Sequence, residues 1–166
     1  MQYQCLEGQI ISIEEHSLIK CHLKFANETI LLRLQTDTPI VHGRSFNILQ
    51  PNEIKVGQYF QAYVQNLQFE SGKSLLEFKP SILVVNDREN FFAVAIGRFD
   101  NETNMVDNHL RTRINEDAII WSSKGFLNYR SDIFANREVA VFYRISTLSM
   151  PPQATPQLWV ILSEKE

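Results

Sequence analysis

The chain has 166 residues, 44% of them hydrophobic and 11% aromatic, with a formal net charge of −3. That apolar content supports one substantial core or two small ones, and it excludes a disordered chain, which carries few aromatics. No stretch approaches the roughly 20 apolar residues that cross a bilayer, and charge is not polarised: residues 1–83 carry 7 basic and 8 acidic side chains, residues 84–166 carry 9 and 11, so electrostatics alone do not mark either half for nucleic acid.

The opening residues, Met1-Gln2-Tyr3-Gln4-Cys5, show no basic region leading into an apolar one. A cytoplasmic location or a trimmed signal is expected. Ile10-Ile11-Ser12-Ile13 and Leu18-Ile19-Lys20-Cys21-His22-Leu23 flank the polar step Glu14-Glu15-His16-Ser17, which predicts a hairpin. Thr29 to Leu34 continues as a third strand, and Pro39-Ile40-Val41 is a short one. Residues 45–56 read as irregular, with one helical turn after Pro51. Lys55-Val56-Gly57-Gln58 is a tight turn that launches the strand Tyr59 to Val64. Ser71-Gly72-Lys73 is another turn, followed by a strand over 75–85 in which Pro80 predicts an edge or a bulge.

Asn86-Asp87-Arg88-Glu89-Asn90 is the most polar stretch, and the module boundary is placed there, giving modules 1–86 and 87–166. In the second, strands are predicted over 91–99, 109–114, 118–121, 138–145 and 158–162, with an irregular segment over 122–132. No run of ten or more residues shows clean helical periodicity. The class is therefore all-β, with small barrels or a sandwich as the architectures that fit.

The order of features recurs. At an offset of 79 residues Ile40-Val41 falls on Ile119-Ile120, Ile54 on Ile133, and Phe60 to Val64 on Val139 to Tyr143. Three strands, an irregular crossing and two strands is the layout of a five-stranded OB-like barrel. The expectation is two tandem OB-like modules related by internal duplication.

The second half carries a longer pattern: Asp132-Ile133, a turn, a strand ending in Phe142-Tyr143, then Ser146-Thr147-Leu148-Ser149-Met150-Pro151-Pro152-Gln153. The first half repeats its front as Thr36-Asp37-Thr38-Pro39-Ile40, then Ile54-Lys55-Val56-Gly57. This resembles an uncharacterised β-rich domain of Gram-positive, Clostridium- or Bacillus-like bacteria. The resemblance implies an exported, spore- or envelope-associated setting and no established activity. The chain departs from it in holding Asn136-Arg137 where the turn usually has Gly.

Two cysteines are too few for a disulfide framework or a zinc site. In the predicted hairpin Cys21 faces Ile10, leaving Cys5 about 16 Å further along at strand rise, beyond the ~4.4–6.8 Å a disulfide spans. Both are read as free thiols filling the core. His16, His22, His42 and His109 share no ligand spacing with them, so no metal or other cofactor is expected. Catalytic motifs are missing too, and the chain is read as no enzyme. The leading expectation is a protein-binding or assembly module. Its contact would be Met150, Pro151, Pro152 and Gln153, expected to be a stiff polyproline segment.

The second expectation is an OB-type binder of single-stranded nucleic acid. Alternation puts Arg111 and Arg113 on one strand face, with Arg98, Arg130 and Arg144 as further cations. Aromatics for stacking would come from a set that includes Phe69, Phe126, Tyr129 and Trp159. An enzyme with an unrecognised site is the third.

Overall fold

The computed structural model describes residues 3–15, 17–65 and 75–162. The expected turn at 71–73, Phe69 and His16 lie outside them. Two compact units divide the chain, Met1–Phe91 and Phe92–Glu166. Asn86 explains why the polar stretch after it stays with the first unit: its side-chain amide donates to the carbonyls of Arg88 and Asn90 at 2.9 and 3.1 Å.

In the first unit the strands are β1 (Tyr3–Glu15), β2 (Leu18–Leu23), β3 (Thr29–Arg33), β4 (Ile40–His42), β5 (Tyr59–Gln65), β6 (Leu76–Phe78) and β7 (Ile82–Asn86). They form one mixed sheet in the order β4-β7-β5-β1-β2-β3-β6. Strict alternation in β2, β3 and β5 buries every second side chain. Leu6, Ile10, Ile19, Cys21, Ile30, Leu32, Phe60 and Leu83 thereby share one core. Cys21 pairs opposite Ile10, as the hairpin predicts, and both cysteines are free thiols. Cys5, expected in the core, is instead exposed. Its neighbour Leu6 takes the buried face, and adjacent strand residues point to opposite faces.

In the second unit the strands are β8 (Ala93–Asp100), β9 (Met105–Val106), β10 (Leu110–Thr112), β11 (Ile119–Ser122), β12 (Gly125–Leu127), β13 (Glu138–Tyr143), β14 (Gln153–Ala154) and β15 (Leu158–Ile161). Their order is β12-β11-β15-β13-β8-β9-β10-β14. The core is aromatic at its centre. Phe134 stacks on Trp159 at 4.2 Å between centroids, and Phe99 meets both edge-on at 5.7 Å.

Apart from β12, the second order is the first with each strand replaced by its counterpart, so the two sheets share one topology. The correspondence reaches single hydrogen bonds. Ile54 N–H donates to the Pro51 carbonyl at 3.3 Å and Ile133 N–H to Arg130 at 3.1 Å, while Gln58 to Lys55 is matched by Arg137 to Phe134. Each of these residues lies 79 positions from its counterpart. Gly57 (φ 93°) and Asn136 (φ 59°) hold the same left-handed turn position. Asn tolerates that region where most side chains do not, which accounts for a turn without Gly. Even β12 has a forerunner, since Val41 bridges Ile48 where Ile120 pairs with Leu127.

Both sheets are open, and this corrects the expectation of closed small barrels. β6 pairs parallel with β3, and β7 pairs antiparallel with β5, only a few residues later along the chain. Closing the ladder requires residues 79–81 to carry it across, and Pro80, buried between β6 and β7, has no N–H to donate. Pro156, also buried, breaks β14 from β15 in the same way. Past each proline the chain rejoins the ladder alike: Ser81 N–H donates to the Tyr63 carbonyl at 2.8 Å, and Gln157 N–H to that of Phe142 at 2.9 Å. Pro51–Glu53 forms the single helical turn anticipated there, and no α-helix occurs among the described residues.

Candidate functional site

β10 is the strand on which the candidate site is built. Thr112 faces inward and is buried, so Arg111 and Arg113 both face outward. Thr112 is pinned: its N–H and its hydroxyl donate to the Asn104 carbonyl at 2.8 and 2.7 Å. The flanking amides hold the neighbouring segment, Arg111 N–H donating to the Pro152 carbonyl and Arg113 N–H to Ala154, each at 2.9 Å. Both guanidinium-bearing residues are therefore fixed at the backbone, and both are exposed.

A groove of about 950 Å³ runs along this edge, lined by Arg111, Arg113, Tyr129, Arg144, Gln153 and Thr155 among others. Among the described residues no carboxylate lines it. Arg144 enters from the end of β13, its guanidinium carbon 5.3 Å from the Phe92 ring centroid, an arrangement in which a flat cation rests on an aromatic face. Tyr129 offers a ring that is 48% exposed.

Of the cations singled out from sequence, Arg111, Arg113 and Arg144 are brought together. Arg98 is exposed on β8 but lies outside the groove lining, and Arg130 is engaged with Asp132 at 3.3 Å. Several of the aromatics are spent on the cores: Phe60, Phe142 and Trp159 are fully buried. Among the described residues Phe126 and Tyr129 are the exposed members of that set, and of these two Tyr129 reaches the groove.

The segment around Met150, Pro151, Pro152 and Gln153 is not a straight polyproline rod. It is a bent loop pinched at its base, where Ser146 bridges Ala154 and Thr147 N–H donates to the Gln153 carbonyl at 2.9 Å. Gln153 N–H returns a bond to Thr147 Oγ1 at 2.9 Å. Inside, Ser149 Oγ donates to the Pro151 carbonyl at 2.9 Å, and the Met150–Pro151 peptide is cis. The short polar side chains Thr147 and Ser149 supply local hydrogen bonds that a polyproline helix lacks, so the loop folds back on itself. Its tip presents Leu148 and Met150, both fully open to solvent, with Ile145 beside its base.

Among the described residues no group of three or more His, Cys, Asp or Glu side chains is placed to hold a metal ion, and no helix is long and apolar enough to cross a membrane. Compared with known proteins, the chain matches no family model, no curated protein and no solved structure. The site therefore stands on its own geometry.

Proposed function

We propose that the protein is a non-catalytic binding module whose second unit takes a single-stranded nucleic acid along the β10–β14 groove. The observation that carries this reading is the convergence of Arg111, Arg113 and Arg144 on a groove that no carboxylate of the described residues lines. Three cations lining one groove suit a repeating phosphate backbone, and Tyr129 adds one aromatic face for a base. Among the described residues the groove's polar side chains are Arg, Gln, Thr, Ser, Asn and Tyr, a set suited to binding and orienting a ligand rather than to general-base work by a carboxylate, His or Cys.

The strand order supports reading both units as duplicated, opened variants of the OB plan. In each, a three-strand meander is joined to a later strand that pairs first with the third strand and then, past a proline, with the fourth of the plan. OB-type domains place ligands on the face beside the second and third strands, bordered by the loop before the last strand. Here that region is β9, β10 and the loop 146–152.

The test is fluorescence anisotropy of labelled mixed-sequence single-stranded DNA and RNA, at low and near-physiological salt. Binding that weakens steeply with salt and is lost in R111A/R113A is the expected result. An absence of binding at low salt rejects the reading.

A second reading has its own observation. Leu148 and Met150 project from a loop that Thr147 and Gln153 clamp at its base, and apolar side chains on a rigid loop suit a protein partner. A fused or crosslinkable copy of the full chain with L148S/M150S would then lose partner capture while retaining nucleic-acid binding.

A further inference from the structure

The duplicated topology allows the two units to be compared position by position at this edge. In the first unit β3 runs parallel to β6, with Leu31 opposite Glu77 and Leu32 opposite Phe78. In the second, β10 runs parallel to β14, with Arg111 opposite Gln153 and Thr112 opposite Ala154. Leu32 and Thr112 are both buried, as are Phe78 and Ala154, and Phe78 and Ala154 stand at the same interval before the strand-breaking prolines Pro80 and Pro156. Leu31 therefore corresponds to Arg111, Arg33 to Arg113, and Glu77 to Gln153.

The chemistry at these places differs by one carboxylate. Arg33 Nη2 donates to Glu77 Oε1 at 3.0 Å, a diagonal ion pair between neighbouring parallel strands. By register Arg113 stands at the matching diagonal to the neutral Gln153, and both line the groove. An arginine already engaged by a carboxylate must give up that partner to take a phosphate, whereas one beside an amide need not. Leu31 in place of Arg111 removes the second cation from the first unit as well.

We infer that Gln153 is the specificity-determining residue that leaves the second unit's arginines open to a phosphate chain, and that Glu77 silences the same edge in the first unit. This rests on the nucleic-acid reading for its ligand, but the exchange of a carboxylate for an amide is testable without one.

Two measurements on the 166-residue chain separate the ideas. The first is the rate at which phenylglyoxal modifies each arginine, read by peptide mass spectrometry with no ligand present. Arg113 reacts faster than Arg33 in the wild type. Q153E slows Arg113 severalfold, and E77Q speeds Arg33 by a similar factor. Both side chains are exposed at the sheet surface, so these variants keep the fold. The second is the affinity for a labelled oligothymidylate. Q153E weakens it by about tenfold, the scale of losing one charged phosphate contact, and adding Q153E to R113A weakens it far less than it weakens the wild type. E77Q, which frees one cation beside Leu31, raises affinity no more than about twofold.

Equal modification rates in the wild type, or a Q153E that leaves both Arg113 reactivity and affinity unchanged, overturns the inference. If R111A/R113A abolishes binding while Q153E does not alter it, the nucleic-acid reading stands and this inference falls. If the modification rates follow the exchange but the wild type binds no oligothymidylate, the assignment of Gln153 and Glu77 holds and the nucleic-acid reading falls.

Discussion

Gly8 and Gly97 hold the same station in the two sheets: Gly8 lies opposite Phe60 across β1–β5, and Gly97 opposite Val139 across β8–β13. Two residues on, the matching amides also correspond, Ile10 N–H donating to the Gln58 carbonyl at 2.8 Å and Phe99 N–H to Arg137 at 3.0 Å. In both places the chain at the next strand of the meander crowds the glycine, through the His22 carbonyl on β2 at Gly8 and the side chain of Asp107, just past β9, at Gly97. A Cβ at Gly8 collides with backbone, which cannot swing away. Gly8→Ala is expected to cost about 3 kcal/mol, at the upper end for overpacking a tight site. Gly97→Ala meets a side chain instead, and Asp107→Gly recovers part of its cost. Urea unfolding of Gly8→Ala, Gly97→Ala, Asp107→Gly and the double variant Gly97→Ala/Asp107→Gly checks this; a Gly8→Ala protein as stable as wild type contradicts the close approach.

Trp159 separates shape from polarity in the second core. Its ring is fully buried between Phe99 and Phe134, and its indole Nε1 has no protein acceptor among the described residues. Trp159→Ala opens a large cavity and is expected to cost about 4 kcal/mol. Trp159→Phe leaves a smaller void and removes an unmet donor whose burial costs about 1–3 kcal/mol, so its net cost is expected to stay near or below about 1 kcal/mol. Chemical denaturation of both variants gives the comparison, and equal losses reject the polar part of the account.

Cys21 makes stability fall in alkali. Burial pushes its thiol up to about 12 from an ordinary value of 9.0. Between those values the folded protein holds a proton that the unfolded chain has released. The contribution is therefore complete below the unfolded value and is lost as pH rises toward the folded one, at up to ~1.4 kcal/mol per pH unit. Cys21→Ala creates a small cavity but flattens this slope, visible as unfolding midpoints compared between mildly and strongly alkaline buffers. In the native state a thiol reagent is expected to reach Cys5, exposed on β1, and to take Cys21 only in denaturant.

The sequence was most informative where alternation and turn chemistry act locally. The Cys21–Ile10 register, the shared face of Arg111 and Arg113, the helical turn at Pro51 and the offset of 79 between β4 and β11 all follow from spacing along short segments. β1 was harder to delimit. It begins at Tyr3, and register shifts between Ile10 and Ser12 and between Ile13 and Glu15 move its alternation out of phase. The groove was only half visible, because Tyr129, Arg144 and β10 are brought together by pairing between distant segments. The Glu77–Gln153 correspondence was hidden for a related reason. The offset between halves is not constant: it is 79 over the central turn but shorter at the prolines, where Pro80 matches Pro156. Only the strand pairing restores the alignment.

Salt dependence gives the sharpest expectation for the groove. A single strand releases counterions with a slope of about −0.7 in log K against log salt for each phosphate neutralised. Arg111, Arg113 and Arg144 together therefore contribute a slope of about −2. R111A/R113A is expected to reduce its magnitude by about 1.4, as two of the three contacts disappear. Arg98 is a built-in control, since it is exposed on the same unit but outside the groove lining. R98A removes the same net charge as either single groove variant, so a protein that bound through overall charge would respond to it equally. Binding by this groove predicts an unchanged slope in R98A and a reduced one in R111A and R113A, measured by repeating the anisotropy titrations over a range of potassium chloride. Equal responses of R98A and R113A would place the binding surface elsewhere.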